Sequence, residues 1–308
     1  MNINQDNINS IINKYILYVD EISSKFNYES NIKHLLYVIV PAFIIKYGFN
    51  NEQTVLKAFR ETKIIIDSNL TERVPATFNR NLIFYDNRYQ TNKYIMIDTF
   101  NNSSLPVIID NIVHEYNHVV NSINNEIIEE DKIIKIRTGL CTLNYNKSDL
   151  TFIEKSSTNT LEEILNTEQT EEIIKIIKDF SRYSIDNEEV NNALFAINKE
   201  VSDDYKSDAY TYQKNLCIDL VNNKTFAPTI NSLRLKGNIQ DIPSLFDNVM
   251  GKSGSYKELN KISTDIHNLI IKYSYSKLFK NMLLNKLREK ARYVSHIIEE
   301  YERKCIFK

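Results

Sequence analysis

A His-Glu-x-x-His pattern is the stretch of this chain whose residue types and spacing point most directly to a chemistry. It spans His114 to His118 and lies inside the apolar run 108–120. Residues four apart in a helix lie one above the other, so a helix here would present both imidazoles on one face, close enough to bind one metal ion. Glu115 would then lie beside a zinc ion, where a general base can take a proton from a zinc-activated water.

The same pattern has a metal-free interpretation, in which His114 and His118 are ordinary histidines packed in a core helix. The chain contains only five histidines in 308 residues. Such a pattern therefore rarely arises by chance, and the apolar flanks favour a buried helix. We predict a zinc-binding helix.

A third protein ligand for this ion is predicted in the segment 160–167. Glu163 has apolar residues two positions before it and one and two positions after it. It should therefore lie at the edge of a buried helix face, whereas Glu162 should point further toward solvent. We predict Glu163 as the third metal ligand, with Glu162 as the alternative.

Two structural interpretations of these glutamates compete with the ligand role. Thr160 and Glu163 also fit a capping box, in which Glu163 would bond only the backbone at a helix start. Alternatively, either glutamate could be an exposed surface charge.

Together, the two segments resemble the gluzincin branch of the zinc metallopeptidases, in which a His-Glu-x-x-His helix is followed by a second helix with a glutamate ligand. The matching residues are His114, Glu115, His118 and Glu163. The wider context, with Asn117, Asn121, residues 136–140 and residues 161–170, is similar to bacterial members of the zincin clan. The resemblance supplies no substrate.

The resemblance implies an α+β, zincin-like fold. An N-terminal mixed α/β lobe with a small sheet would precede the active-site helix at the floor of a cleft, and a mainly helical lobe would follow. It also implies a hydrolase that cleaves peptide bonds with one Zn²⁺ per chain, held by the three ligands, and with Glu115 as general base. The chain differs from many gluzincins at Thr167, where they carry an acidic residue that orients the first histidine, and in its longer gap between the ligands.

Peptide hydrolysis also requires a group that stabilises the oxyanion. The sequence does not choose among several candidates, each of which could instead be a packing or surface residue: Tyr205, Tyr210, His267 and Arg137. Asn117 and Asn121 could orient the metal ligands or simply occupy the surface of the helix.

Composition and charge narrow the class of protein. A chain of 308 residues with 42% hydrophobic residues can bury a large core, and a net charge of −2 with mixed signs does not favour nucleic-acid binding.

The cysteines Cys141, Cys217 and Cys305 are odd in number and far apart, which is typical of reduced thiols. The longest apolar run, 35–45, contains Pro41 and is too short to span a bilayer. Without a recognisable secretory signal, we expect a cytoplasmic protein or signal-independent export.

Periodicity predicts the elements that position these residues. It predicts three helices, at 8–22, at 31–47 with a bend or break at Pro41, and at 52–60, followed by three strands, at 63–67, 81–85 and 93–98. The last strand or a neighbour could form a sheet edge that receives an extended peptide. The motif helix is expected to continue to about residue 127. It is followed by a hairpin (132–137 and 140–145), a strand at 151–153 and helices at 161–180, 188–200, 204–222, 228–235, 256–273 and 276–305. We expect two lobes in one catalytic unit, 1–127 and 128–308.

Three other functions remain open. The chain could be a zinc-binding protein without activity, although an intact Glu115 argues against a pseudoenzyme. It could be a toxin-like protease of narrow specificity. It could also be a helical interaction module in which the histidine pattern is accidental. The expected partner of an enzyme is a peptide or protein substrate, and the sequence predicts no oligomeric state.

Overall fold

A computed structural model describes residues 5–67, 76–98, 103–155, 159–207, 210–276 and 278–306. Within these ranges the chain is α+β, with helices in the majority and two small sheets. The helices are α1 (Gln5–Phe26), α2 (Ser30–Tyr47), α3 (Glu52–Glu61), α4 (Leu105–Val120), α5 (Asn159–Phe180), α6 (Glu188–Glu200), α7 (Thr211–Leu216), α8 (Ile218–Asn222), α9 (Phe226–Lys236), α10 (Ile242–Met250), α11 (Ser255–Tyr275) and α12 (Lys280–Ile306). The strands are β1 (Thr62–Ile66), β2 (Ala76–Tyr85), β3 (Arg88–Ile97), β4 (Ile127–Glu129), β5 (Ile133–Thr138), β6 (Cys141–Asn146) and β7 (Phe152–Lys155).

The chain forms two compact units, each made of two segments. Unit 1 contains Met1–Val120 and Gln169–Ser207, and unit 2 contains Asn121–Glu168 and Asp208–Lys308. Helix α5 therefore begins in unit 2 and ends in unit 1. The sequence-based division into two lobes of one catalytic unit, 1–127 and 128–308, stays a prediction.

Helix α2 forms the apolar centre of unit 1. All of its side chains from Leu35 to Ile44 are buried, and the helix runs through Pro41 without a break. The helix ends at Tyr47, as predicted. Gly48 follows with a φ of 85° that favours glycine, and donates its N–H to Ile44 O. None of the described helices is by itself long and apolar enough to cross a membrane. Among the described helices, only α2 taken together with the segment Phe49–Glu61 has the length and composition of a membrane span, and that pair is bent by 109°.

The sheet of unit 1 has the strand order β1-β3-β2, with β1 parallel and β2 antiparallel to β3. The last predicted strand, β3, is therefore central, and the edges are its neighbours β1 and β2. A two-residue turn at Asp86 and Asn87, both with positive φ, joins β2 to β3. β2 and β3 each begin five residues earlier than predicted, because the hairpin continues through polar residues that carry no hydrophobic alternation.

The sheet of unit 2 is antiparallel, in the order β4-β5-β6-β7. It contains the hairpin and the short following strand that the sequence predicts, and Gly139 occupies the turn with a φ of 55°. The expected extension of the motif helix to residue 127 is wrong: α4 ends at Val120, and β4 begins at Ile127.

Arg137 explains why α4 stops early. Its buried guanidinium donates to five main-chain carbonyls, and three of these belong to the turn after α4, at Asn121, Asn124 and Asn125. The other two are those of Gly139 and Arg234. The exposed carbonyls beyond a helix C-terminus attract a cation, so Arg137 stabilises a turn here instead of another helical turn.

The remaining helices of unit 2 enclose an apolar core to which the start of α5 contributes Leu161, Ile164 and Leu165. The prediction of one helix at 204–222 is wrong. Residues 204–207 are not helical, and Cys217 separates two short helices, α7 and α8, in the later part of this range. Helix α10 was not predicted. Pro243 lies in the first turn of α10, where proline is favoured.

We predict that Gly139→Ala destabilises the protein more than Gly251→Ala. Both glycines lie in unit 2 at positive φ, so an added Cβ costs about 1 kcal/mol at either position. At Gly139 the Cβ would also overlap the buried Glu162 carboxylate, whereas a Cβ at Gly251 would meet no atom of a non-neighbouring residue within 4 Å. Urea unfolding should show a loss of at least about 3 kcal/mol for Gly139→Ala. Equal losses for the two variants would contradict this packing.

Candidate metal centre

Helix α4 carries the histidine pattern and is buried along almost its whole length. Pro106 lies in its first turn, and every residue from Val113 to Val120 is buried. The ring of Tyr116 stacks on Phe59 with centroids 3.9 Å apart, and its hydroxyl donates to Thr62 O at 3.1 Å. Burial raises the pKa of Tyr116, so this hydroxyl stays protonated and remains a donor.

Asn117 fixes α4 to two other helices of unit 1. Its amide nitrogen donates to Thr170 Oγ1 at 2.9 Å, and its amide oxygen accepts from the Tyr47 hydroxyl at 2.9 Å. Since Asn117 is fully buried, these bonds hold α4 at a defined rotation. Its predicted role in orienting the metal ligands stays a prediction, and so does that of Asn121, whose carbonyl accepts from Arg137.

His114 and His118 face the same way from α4, as their spacing predicts. Their ring centroids are 5.1 Å apart and the rings are inclined at 76°. Together with Glu163 of α5 they form a buried group in which one ligand atom of each residue lies within 4.8 Å of the others. This group could hold a metal ion.

The donor set fits zinc. Two imidazole nitrogens and one carboxylate oxygen are the protein ligands of a common class of catalytic zinc site, in which a fourth position stays open. Ligands about 2.0–2.2 Å from one ion are about 3–4 Å from each other, so small side-chain rotations would bring these three atoms into range. Within the described part of the chain, no second group of three histidine, cysteine or carboxylate side chains lies this close together.

Glu115 lies on α4 next to His114 and is not part of this group of ligand atoms. It is 9% exposed, slightly more than the two histidines at 6% and 7%. A carboxylate beside the ligands rather than among them is suited to accept a proton. Its predicted role as general base is taken up below.

The structure corrects the expectation for Glu162, which is fully buried instead of facing solvent. Its carboxylate forms an ion pair with the Arg234 guanidinium and accepts the backbone N–H of Leu140 at 2.8 Å. Arg234 also donates to Asn166 Oδ1 at 2.6 Å. Glu162 is therefore engaged within unit 2.

The capping-box interpretation of Thr160 and Glu163 does not fit the helix start. Helix α5 begins at Asn159, so Thr160 is already inside the helix and not at its N-cap. Neither glutamate is an exposed surface charge, because both are buried. The role of Glu163 as a metal ligand stays a prediction, and the structure brings Glu163 to the two histidines.

Thr167 takes the position at which many gluzincins have an acidic residue. Its hydroxyl donates to the Glu163 carbonyl at 2.8 Å, one helical turn earlier. The next carboxylate in sequence, Glu168, pairs with Lys214 at 2.6 Å. In this chain, therefore, the residue four positions after Glu163 bonds the backbone of Glu163.

The four candidates for an oxyanion-stabilising group differ in their surroundings. The Arg137 guanidinium donates to main-chain carbonyls, as described for the turn after α4. The rings of Tyr210 and His267 stack on each other with centroids 6.4 Å apart. Tyr205 is half-buried, in a non-helical segment. The choice among the candidates stays open.

Two features near the candidate centre were not predicted. Asp110 is buried one helical turn before His114, and its carboxylate accepts from the Ser207 hydroxyl at 2.8 Å. The signal was an aspartate inside an apolar run, four positions before the first histidine. The buried pair of Glu162 and Arg234 joins residues 72 positions apart and has no local signal.

None of the three cysteines belongs to the group of possible ligand atoms. Cys141 and Cys217 are buried, Cys305 is partly buried, and none of them forms a disulfide bond. Burial raises the pKa of Cys217 to about 12, which keeps it in the thiol form.

Comparison with known proteins adds no family to this geometry: no family model matches the chain, and neither the curated proteins nor the solved structures contain a match. The candidate centre therefore depends on its own residues.

We predict opposite effects of substitution at the two neighbouring glutamates. Glu162→Gln removes the carboxylate that compensates the buried Arg234 charge, so it should lower the free energy of unfolding by about 3–5 kcal/mol. Glu163→Gln should lower the stability of the metal-free protein less than Glu162→Gln does, because Arg234 keeps the Glu162 carboxylate, but it should weaken zinc binding. Urea unfolding and zinc titration measure the two effects. Loss of zinc affinity in Glu162→Gln, with unchanged unfolding, would reverse the assignment.

Proposed function

We propose that this protein is a zinc-dependent metallopeptidase with a zincin-like fold of the gluzincin type. The observation that carries the proposal is the buried group of His114, His118 and Glu163, with Glu115 adjacent to the first ligand. These residues supply two imidazoles and a carboxylate on two helices, with a second carboxylate beside them. Metal-assisted hydrolysis requires these functional groups.

His114, His118 and Glu163 would hold the ion. When bound, zinc would lower the pKa of a coordinated water to about 7 and polarise a carbonyl. Glu115 accepts the proton of the attacking water and delivers it to the leaving amine, which requires a carboxylate that is not itself a ligand. Its burial strengthens its electrostatic interactions compared with a carboxylate in bulk water.

The sheet of unit 1 supports a peptide as the substrate class. β2 is an edge strand of that sheet, and α4 packs against both β2 and β3. An edge strand has main-chain N–H and carbonyl groups free to pair with an extended peptide. A peptide added along β2 would lie on the same sheet that supports the helix with the two histidines. We therefore propose β2, rather than β3, as the strand that receives it.

We predict that Glu115→Gln retains zinc and loses peptide hydrolysis. The amide is nearly isosteric with the carboxylate but cannot accept the proton, and proton transfer of this kind is worth about 10²- to 10⁴-fold. Zinc content by elemental analysis and cleavage of a diverse peptide library by mass spectrometry measure the two properties. The surface variant Glu200→Gln is the matched control and should behave as wild type, because its carboxylate is exposed at the end of α6.

A second variant tests the metal itself. His114→Ala/His118→Ala leaves one of the three ligands, so it should lose zinc and activity together. Stoichiometric zinc in this double variant would exclude the proposed ligands. Cleavage by Glu115→Gln at the wild-type rate would remove Glu115 from the mechanism even if zinc binding follows the proposal.

A further inference from the structure

The corner between α11 and α12 in unit 2 exposes an unusual amount of apolar surface. Tyr275, Leu278 and Phe279 are 69–71% exposed, and Ile271 and Met282 are also exposed. We call these five residues the apolar corner. Scattered single apolar side chains are normal on a protein surface, whereas a contiguous group marks a surface that meets something else.

The backbone of the corner includes a residue in a left-handed conformation. Phe279 has a φ of 65°, a left-handed conformation in which a bulky residue is uncommon, and its carbonyl accepts the N–H of Leu283 as α12 begins. The Ser276 hydroxyl donates to the carbonyl of Leu278. Glycine or asparagine would suit the turn better on conformational grounds alone.

The apolar corner has a basic surround. Between Asp265 and Glu289 the chain contains five lysine and arginine residues and no acidic residue, although the whole chain has a net charge of −2. Lys272, Lys280 and Lys286 are exposed in the structure, and Lys280 also lies over the ring of Tyr273, 5.5 Å from its centroid. Positive charge is thus concentrated where the apolar side chains are exposed.

We propose that the apolar corner docks this protein on the surface of an anionic lipid bilayer. Aromatic and aliphatic side chains would enter the interfacial layer, while the surrounding lysines contact lipid phosphates, as in other peripheral anchors. Negative surface potential attracts clustered basic residues, which supplies the charge complementarity. Five side chains at one corner are also fewer than the 20–30 residues that each side of a stable protein interface typically contributes. The observations therefore favour a lipid surface over a protein partner.

Vesicle co-sedimentation of the full chain tests the proposal. We expect binding to vesicles of phosphatidylcholine mixed with phosphatidylserine, about tenfold weaker binding to phosphatidylcholine alone, and loss of binding at high salt. Leu278→Asn/Phe279→Asn removes the apolar contribution and Lys272→Glu/Lys280→Glu reverses the charge. Each should reduce binding at least about tenfold. Asparagine is chosen because it tolerates the left-handed conformation at Phe279.

The matched control is Phe195→Asn/Lys199→Glu on α6, which removes an equally exposed aromatic residue and an exposed lysine elsewhere. It should bind vesicles as wild type does, and circular dichroism should show all variants folded. Equal binding to neutral and anionic vesicles, no binding, or equal loss in the control would overturn the proposal. So would a concentration-dependent dimer in sedimentation experiments that Leu278→Asn/Phe279→Asn abolishes without vesicle binding. Since the readout is lipid binding, its outcome is separate from any protease activity.

Discussion

Burial of charge at the start of α5 is the constraint on which much of unit 2 depends. Glu162 and Arg234 are both removed from water, and each would be strongly destabilising without the other. Their pairing attaches α5 to α9. The carboxylate also accepts the N–H of Leu140 in the β5–β6 turn, so the sheet is held to the same point. A Cβ at Gly139 would overlap this carboxylate, so a larger residue there requires Glu162 to move.

The same constraint gives two adjacent glutamates different tasks. Consecutive residues of a helix point about 100° apart, so a helix whose rotation is fixed by Glu162 presents Glu163 in another direction. That direction brings a Glu163 carboxylate oxygen within 4.8 Å of ligand atoms of both histidines. The ion pair thus helps to fix the direction of the Glu163 side chain, although neither Glu162 nor Arg234 belongs to the group of possible ligand atoms.

Local patterns predicted the parts of the structure that local interactions decide. Helix α6 has the predicted bounds because Asn187 caps it through a hydrogen bond to the N–H of Val190, and the β5–β6 turn follows from a glycine at positive φ. The histidine spacing and the apolar flanks of Glu163 predicted the three residues that the structure brings together. These predictions succeed because helix periodicity fixes which side chains share a face.

The errors involve partners that are distant in sequence. No local signal shows that Arg137 would end α4 at Val120, since it acts from β5 on the carbonyls of the following turn. Likewise, apolar periodicity cannot tell Glu162 from a solvated glutamate when its partner is Arg234. The central position of β3 depends on its parallel pairing with β1, a non-local choice between sheet orders that strand periodicity leaves undetermined.

The residues that hold the framework are a different set from the proposed metal ligands. In unit 1, Tyr116 and Asn117 hold α4 through bonds to Thr62, Tyr47 and Thr170. In unit 2, Arg137 and the pair of Glu162 and Arg234 bond main-chain and side-chain groups of their own unit. A small zinc finger, by contrast, is unfolded without metal because its ligands are its framework. Here α4 is fixed in unit 1, and the start of α5 in unit 2, by bonds that need no ion. Side chains on such a framework lose less conformational entropy when they bind a ligand than side chains on a chain that must fold at the same time.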